Sequence, residues 1–162
     1  MILRTAVLGD AERVAALISM AFQVEAFFVD GDRTNADVVR ARMQRGSFLL
    51  IEDGPADPRS SEPGALAGCV YVETRGDRGY FGMLSTDPGR QHQGLGRALV
   101  TAAEDHCRTA GCREMEIEIV NLRTELPPFY HRLGYVENGT RPFNQPERAK
   151  KPCHFVVMTK KL

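Results

Sequence analysis

The residues best suited to chemistry stand between an apolar run and an amphipathic run near the middle of the chain. They read Gln91-His92-Gln93-Gly94-Leu95-Gly96-Arg97-Ala98-Leu99. This order predicts a strand, a turn and then a helix that opens on glycine. Glycines let the backbone approach a ligand closely, and the free N–H groups of a first helical turn carry about half a positive charge. The segment therefore predicts an anion site, with phosphate as the natural occupant.

Two better-known phosphate-binding loops compete with this interpretation. A nucleoside triphosphatase loop needs Lys and then Ser or Thr directly after its last glycine, whereas Gly96 is followed by Arg97, so no residue is placed for Mg²⁺. A dinucleotide-binding loop needs a third small residue where Leu99 stands. Acids do follow about twenty residues on, at Glu114 and Glu116, but inside a strand pattern and not at its end. A nucleoside triphosphatase is therefore excluded, and a nicotinamide-dependent oxidoreductase stays as a minor alternative.

The loop resembles the acyl-CoA pyrophosphate loop of the GNAT family of N-acetyltransferases. The family pattern is Q/R-x-x-G-x-G/A, and residues 91–96 match it in full. A second family block follows at the expected distance: Asn121, then Phe129-Tyr130-His131-Arg132-Leu133-Gly134-Tyr135, which is similar to N…(F/L)-Y-x-x-x-G-(F/Y). His92 stands where many members carry glycine, although the pattern leaves that position free. Together the two blocks make the resemblance specific, and it covers nearly the whole chain.

The patterning along the chain agrees with the fold that this resemblance implies. Alternation and turn signals predict strands at 2–6, 48–52, 65–73, 80–86, 115–120 and 154–160, the last of which closes the sheet. Helices are expected after Asp10, from Thr34 to about Arg45, from the loop to about Thr109, and from Pro127 to Gly134. Strands 80–86 and 115–120, joined by a crossover helix, should be parallel. The resemblance implies one α/β domain over residues 1–162, with a mixed, mostly antiparallel sheet, a splayed parallel strand pair and helices on both faces.

The resemblance also implies how acetyl-CoA would bind as the co-substrate. In the family the pantetheine arm enters the gap between the splayed strands. Carried over, the backbone of Leu84 and Thr86 would pair with the arm, and Asn121 would form a hydrogen bond with it. A backbone N–H near Leu84 or Ser85 would stabilise the oxyanion. The pyrophosphate would be held by seven successive residues, Gln91, His92, Gln93, Gly94, Leu95, Gly96 and Arg97.

Acyl transfer to an amine also needs proton transfers, because an ammonium has no lone pair and a thiolate must leave. In the family the tyrosine of the second block protonates the departing thiolate, and Tyr130 matches it. A carboxylate or a water relay is expected as the base. Direct attack of the amine on the thioester requires no covalent enzyme intermediate.

The leading candidates for the base come from a strand face that carries three acids, of which Glu114 is expected to be solvated. Glu114, Glu116 and Glu118 alternate with apolar residues, which places them on one side of a strand next to the loop. This face either lines an open cleft or is a solvated edge. Glu116 is the first choice and Glu118 the second, with Glu73 and Tyr80 behind them.

The acceptor is expected to lie between two loops that send mixed signals. Residues 23–33 are aromatic and acidic, which suits an amine, whereas residues 138–152 carry Arg141, Arg148, Lys150 and Lys151, which suits a carboxylate. A small metabolite similar to an amino acid would satisfy both. A CoA-binding sensor or interaction module without turnover is the alternative.

Composition sets the remaining expectations. The 162 residues contain 21 Lys plus Arg and 21 Asp plus Glu, so no global basic field favours nucleic acid or a membrane, and any attraction for CoA phosphates must come from local residues such as Arg90 and Arg97. A signal peptide and a long apolar run are both lacking, which predicts a cytoplasmic protein. The four cysteines and four histidines lack zinc-type spacing, so no metal is expected. Two copies of an open sheet of this kind often associate, so a homodimer is a possible assembly.

Overall fold

Short runs rich in Val, Ile, Leu, Phe and Tyr form the strands of a single mixed sheet. A computed structural model describes all of residues 1–162. The strands are β1 (Ile2–Thr5), β2 (Ser47–Glu52), β3 (Leu66–Arg75), β4 (Arg78–Thr86), β5 (Glu114–Val120), β6 (Val136–Pro142) and β7 (His154–Lys161). Their order across the sheet is β1-β2-β3-β4-β5-β7-β6.

Four helices cover the two faces of this sheet. They are α1 (Ala11–Ala21), α2 (Ala36–Met43), α3 (Leu95–Thr109) and α4 (Leu126–Arg132). The apolar stripes of α1 and α2 pack with Phe48, Leu50 and Tyr71 on one face, while α3 and α4 pack with Val70, Phe81 and other residues on the opposite face. None of the helices has the length and apolarity that crossing a bilayer would require.

The expected parallel strand pair is confirmed, and so is its separation. β4 and β5 pair only from Arg78 opposite Glu114 to Tyr80 opposite Glu116. Every other neighbouring pair in the sheet is antiparallel. Beyond Tyr80 the edge of β4 that faces β5 has no strand partner, so the sheet opens into a gap at its centre.

A β-bulge lies in β4 at this gap. Cys69 of β3 opposes Ser85, but Tyr71 opposes Gly82, so two residues of β4 face one residue of β3. One of the two, Met83, has a left-handed backbone with φ of +53°. A bulge bends the strand and re-aims its backbone groups. Here that change falls where β4 turns away from β5.

The end of the sheet differs from the sequence expectation. Residues 138–152 were expected to be a loop and the last strand was expected to close the sheet, but β6 occupies Val136–Pro142 and forms the edge, so β7 lies between β5 and β6. The signal for β6 is weak because almost all its side chains are exposed and lack alternation. Its pairing with β7 is also irregular between Glu137 and Thr140, around Gly139 at a φ of +102°.

Two helix starts also differ in detail. Asn35 rather than Thr34 caps α2, because its Oδ1 accepts the backbone N–H of Val38 at 3.0 Å. Asp10 directly precedes α1 as expected, but its carboxylate accepts hydrogen bonds from Arg4 and from the backbone N–H of Val7. The Asp10 carboxylate therefore binds Arg4 and the turn before the helix, and it forms no capping hydrogen bond with the first turn of α1.

Candidate active site

The gap between β4 and β5 leads into a cavity of about 300 Å³, which we call the central cavity. Its walls come from β4, β5 and α4 and from the segments around residues 22–33 and 143–148, and arginines at the ends of α2 and β3 also line it. Those two segments also pair with each other: Val29 and Ala149 form a β-bridge, and the N–H of Lys150 donates to the carbonyl of Phe28 at 2.8 Å. The pairing closes the cavity on the side away from α3.

The segment Gln91–Arg97, called here the amide loop, precedes and opens α3. Gly94 is the N-cap residue of α3 and has a φ of +75°. None of the seven backbone N–H groups of the loop has a hydrogen-bond partner in the chain. An ideal Cβ on Gly96 would lie 3.4 Å from Cζ of Phe129, so a side chain there would also press on α4. The loop is therefore a cluster of free donors at a positive helix end, which is what an anion such as a pyrophosphate requires.

His92 occupies a position of the loop where the backbone conformation favours glycine. Its backbone has a φ of +65°, in the left-handed region that favours glycine. The side chain is exposed. The loop therefore has a left-handed backbone at position 92 even though histidine, unlike glycine, is strained in that conformation.

The two arginines beside the amide loop have different partners. Arg90 is committed to Asp53, since its Nη1 and Nη2 donate to the two carboxylate oxygens at 2.8 and 2.6 Å. Arg97 is exposed and forms no ion pair. Of the two, only Arg97 offers an uncommitted positive charge next to the loop.

The other residues expected to contact the pantetheine arm lie at the same edge of the sheet. Leu84 lines the central cavity, and Thr86 pairs with Gly68 where β4 ends. Asn121 follows β5, but its Oδ1 accepts the backbone N–H of His154 at 2.9 Å. Only the Nδ2 group of Asn121 remains as a donor.

Tyr130 lies at the base of the central cavity. Its side chain is 5% exposed, and its ring packs against those of Phe81, Phe129 and Tyr135 at centroid distances of 5.0–6.1 Å. The hydroxyl has no hydrogen-bond partner in the chain, yet it is not sealed from the cavity. Burial raises the pKa of Tyr130, so the phenol keeps its proton at neutral pH.

The three strand acids occupy different environments. Glu116, the first choice for the base, is 4% exposed and does not line the cavity; it accepts hydrogen bonds from Arg141 at 3.0 Å and from Arg78 at 3.1 Å. The hydrogen bonds from Arg141 lower the pKa of Glu116, against the effect of burial. Glu118 lines the cavity and accepts one bond from Arg141, at 3.0 Å. Glu114 forms an ion pair with Arg78 at 3.3 Å.

The two lower-ranked candidates for the base, Glu73 and Tyr80, also differ in whether they line the cavity. Glu73 lies outside the cavity wall, where its carboxylate accepts hydrogen bonds from Tyr71 and Arg75. Tyr80 does line the cavity, under the guanidinium group of Arg75 at 4.3 Å from the ring centre. Burial raises the pKa of Tyr80, and the nearby Glu118 raises it further.

A second cavity carboxylate was not singled out from the sequence. Glu25 is buried in the cavity wall, and its Oε2 accepts a hydrogen bond from Arg123 at 2.8 Å. The only sequence signal was an acid in an otherwise aromatic connector. No group of three His, Cys, Asp or Glu side chains converges in a way that could hold a metal. The side chains of the cavity that can carry charge or a proton are carboxylates, phenols and guanidinium groups.

Comparison with known proteins gives matches at three levels. The model of the acetyltransferase (GNAT) family matches residues 14–135. Glucosamine 6-phosphate N-acetyltransferase 1 of Oryza sativa subsp. japonica is 32% identical over 82 residues, which are 48% of this chain and 48% of that protein. Mycothiol acetyltransferase of Clavibacter michiganensis subsp. michiganensis is 35% identical over 95 residues, which are 57% of this chain and 31% of that protein. The matched part thus spans half or less of each curated relative.

The fold has solved counterparts. The structure of yncA from Salmonella typhimurium with its cofactor acetyl-CoA superposes with a TM-score of 0.72, at 18% identity, over 99% of this chain and 93% of that chain. The likeness is one of overall fold and covers nearly the whole of both chains.

Proposed function

Because the chain belongs to the GNAT family of acetyltransferases, we propose that it transfers an acetyl group from acetyl-CoA to the primary amine of a small molecule. One observation carries the proposal: the gap between β4 and β5 joins a loop of free backbone donors to a cavity that contains a carboxylate and a protonated phenol. The two curated relatives described above are both named as acetyltransferases, one of them acting on an amino sugar phosphate.

The chain has the groups that acetyl-CoA would need. The amide loop would hold the pyrophosphate, with Arg97 adding charge. The open edge of β4 from Leu84 to Thr86 would pair with the pantetheine arm, and Nδ2 of Asn121 would donate to it. The co-substrate supplies an activated thioester, and the bulge at Met83 would direct a backbone N–H toward the carbonyl oxygen.

Glu118 is the proposed proton acceptor. An alkyl ammonium titrates roughly three units above neutrality, so its deprotonation costs about 4–5 kcal/mol at pH 7. Glu118 lines the cavity, whereas Glu116 is outside it and has a lowered pKa, which makes it a weaker base. Glu25, which lines the same cavity from another segment, would attract the incoming ammonium.

Tyr130 is the proposed proton donor to the departing thiolate. Its hydroxyl has no partner in the chain and faces the cavity, and burial keeps it protonated. The direction of transfer follows from these two groups: the amine proton leaves toward Glu118, and the phenol proton goes to sulfur. No covalent intermediate with a side chain is needed.

Thiol release tests this function. We expect purified protein to release free CoA from acetyl-CoA only when an amine is present, with a rate that depends on which amine is used. Calorimetry with acetyl-CoA and with NAD(H) measures cofactor choice separately. Tight acetyl-CoA binding without thiol release across a broad amine panel would contradict the enzyme and support a binding module. Binding of NAD(H) in place of acetyl-CoA would contradict both.

A further inference from the structure

The central cavity is basic although the chain as a whole is neutral. Lys plus Arg and Asp plus Glu are equal at 21 each over the sequence. Among the residues that line the cavity, however, the only acids are Glu25 and Glu118, against six arginines. The six are Arg33, Arg42, Arg45, Arg75, Arg123 and Arg148.

Three of the six arginines are already engaged within the chain. Arg123 donates to Glu25, and Arg75 donates to Glu73. Arg148 donates to the carbonyl oxygen of Asp30 at 2.7 Å and to the side-chain oxygen of Gln145 at 3.1 Å. These contacts hold the walls together, so these three arginines have a structural reason to be there.

The side chains of the other three line the cavity without any hydrogen-bond or ion-pair partner in the chain, and we call Arg33, Arg42 and Arg45 the arginine end. The guanidinium carbon of Arg33 lies 5.2 Å from the ring centre of Phe22, and that of Arg42 lies 5.1 Å from the ring centre of Tyr71. Both arginines are half-buried, and burial lowers the pKa of Arg33. Stacking on an aromatic ring leaves the edge of each guanidinium free to donate.

Half-buried arginines elsewhere in this chain are paired with carboxylates. Arg4 contacts Asp10 and Glu52, Arg13 contacts Glu52, and Arg90 contacts Asp53. This is the usual outcome, because a partly desolvated charge without a counter-charge costs stability. The arginine end departs from this pattern inside a cavity, which is where an incoming ligand could supply the missing anion.

The pyrophosphate of CoA is too far away to be that anion. Arg42 stacks on Tyr71, which opposes Gly82 at the middle of β4. The amide loop begins only after Thr86, where β4 ends. At about 3.3 Å per residue, the four steps from Gly82 to Thr86 cover roughly 13 Å. The arginine end therefore lies beyond hydrogen-bond reach of an anion that the amide loop holds.

Tyr80 lies near both kinds of charge in the cavity, and it lines the same cavity as Glu118, Arg33 and Arg42. Burial raises the pKa of Tyr80, Glu118 raises it further, and Arg42, Arg33 and Arg75 lower it. The proposed proton acceptor and the arginine end are therefore both within electrostatic range of this phenol. One small molecule in the cavity could contact a carboxylate and guanidinium groups at the same time.

We propose that Arg33, Arg42 and Arg45 bind a negatively charged group of the acceptor, so that the acceptor carries a carboxylate or a phosphate in addition to its amine. This deepens, and rests on, the proposed acetyl transfer. The planar forks of the guanidinium groups match both anions, whose oxygens can each accept two hydrogen bonds. The anion fixes the acceptor at the arginine end, and the amine then reaches toward Glu118.

The first test measures anion binding without turnover. Inorganic phosphate and succinate are titrated separately into the protein saturated with CoA, by calorimetry. Arg33→Gln and Arg42→Gln should each weaken binding at least tenfold, about 1.4 kcal/mol. Arg40→Gln is the matched control, because Arg40 is on α2 but pairs with Glu12 and Asp37 outside the cavity. Equal anion affinity in all variants would overturn the proposal. If the two cavity variants do not fold, the exposed Arg45→Gln replaces them.

The second test uses pairs of amines in which one member carries an anionic group and the other lacks it. O-Phosphoethanolamine is compared with ethanolamine, and β-alanine with β-alaninamide, by kcat/KM for thiol release. The charged member of one pair should be at least tenfold better, and Arg33→Gln should remove the advantage while Arg40→Gln keeps it. The pair that shows this difference in kcat/KM indicates whether the subsite binds a phosphate or a carboxylate.

The outcomes separate this proposal from the function on which it rests. Equal turnover of charged and neutral amines would overturn the anion subsite and leave the acetyltransferase standing. Anion binding that depends on Arg33 and Arg42, without turnover of any amine, would support the subsite and count against the proposed transfer.

Discussion

The two ends of β4 differ in the kind of group that they offer to a ligand. Past Thr86 the donors belong to the backbone of the amide loop, seven N–H groups in one short stretch of chain. Around Tyr80 the charged groups belong to side chains, and they come from the connector after α1, from α2 and from β5. One end is local in sequence, and the other is assembled by folding.

The difference indicates what each end can recognise. Backbone donors read the charge and shape of a phosphate and are insensitive to most side-chain changes, so they suit an invariant group such as a pyrophosphate. Side-chain groups can change one at a time and suit the variable partner. We therefore expect substitutions at the two ends to separate co-substrate affinity from acceptor use and chemistry.

The largest expected effect is at Tyr130, which lies between the two ends. Tyr130→Phe preserves the packing against Phe81 and Phe129 and removes only the hydroxyl. The loss of a general acid should lower kcat by about 10²-fold or more, with little change in acetyl-CoA affinity. A thioester with a more acidic thiol should restore part of the rate. Steady-state kinetics with both thioesters measure this.

Tyr135→Phe is the matched control for that substitution. The hydroxyl of Tyr135 donates to Glu104 at 2.9 Å in the core under α3, away from the cavity. Its removal should cost about 1–3 kcal/mol of the free energy of unfolding and leave kcat unchanged. A wild-type rate for Tyr130→Phe at saturating substrate, with chemistry limiting, would assign the acid to another group.

The next effect separates two neighbouring acids on β5. Glu118→Gln should lower kcat/KM for the amine roughly 10-fold to 10²-fold and move the acid limb of the pH profile. Glu116→Gln should leave that limb in place, because Glu116 lies outside the cavity. The measurement is kcat/KM against pH for both variants. The reverse pattern would make Glu116 the base despite its ion pairs.

Glu116 should instead control stability at low pH. Its folded pKa is lowered by Arg141, so its ion pairs stabilise the fold above the unfolded value near 4.5 and are lost as the pH falls through the lower folded pKa. Urea unfolding at pH 7 and at pH 3.5 should show a smaller loss of stability on acidification for Glu116→Gln than for wild type. Equal losses would mean that the Arg141 contact contributes nothing.

The third effect is at the backbone end. Gly96→Val should weaken acetyl-CoA binding at least tenfold, about 1.4 kcal/mol, since a side chain there blocks approach to the N–H groups and presses on Phe129. Gly89→Val is the control, because a Cβ on Gly89 meets only the carboxylate of Asp87. Calorimetry with acetyl-CoA reports both. Unchanged affinity in Gly96→Val would remove the amide loop from the co-substrate site.

The contrast between the ends also explains which features the sequence could predict. The amide loop, the parallel strands and most element boundaries follow from local patterns of glycine and apolar residues. β6 could not be predicted, because an exposed edge strand such as Val136–Pro142 has no apolar alternation. Missing β6 also hid the contact between Glu116 and Arg141, which lies on that strand. Our proposal of Glu118 in place of Glu116 as the base rests on that contact.

The arginine end was hidden for a related reason. Arg33, Arg42 and Arg45 look in sequence like ordinary solvated charges, and only the absence of hydrogen-bond and ion-pair partners in the cavity distinguishes them. That absence is a property of three dimensions, since it depends on where Glu25, Glu73 and Glu118 find other partners. The spacing of residues along the chain does not predict which arginines will lack a partner.

The smallest expected effect tests whether the amide loop works through its backbone alone. His92 has a left-handed backbone, so His92→Gly should relieve strain, partly offset by the greater entropy of glycine in the unfolded chain. We expect the free energy of unfolding to rise by about 0.5–1 kcal/mol, with acetyl-CoA affinity unchanged within twofold. Gly94→Ala, at a φ of +75°, should have the opposite sign and cost about 1 kcal/mol. Chemical denaturation and calorimetry measure both variants. A clear loss of co-substrate affinity in His92→Gly would mean that the imidazole itself contacts the ligand, and the loop would then share the side-chain recognition of the opposite end.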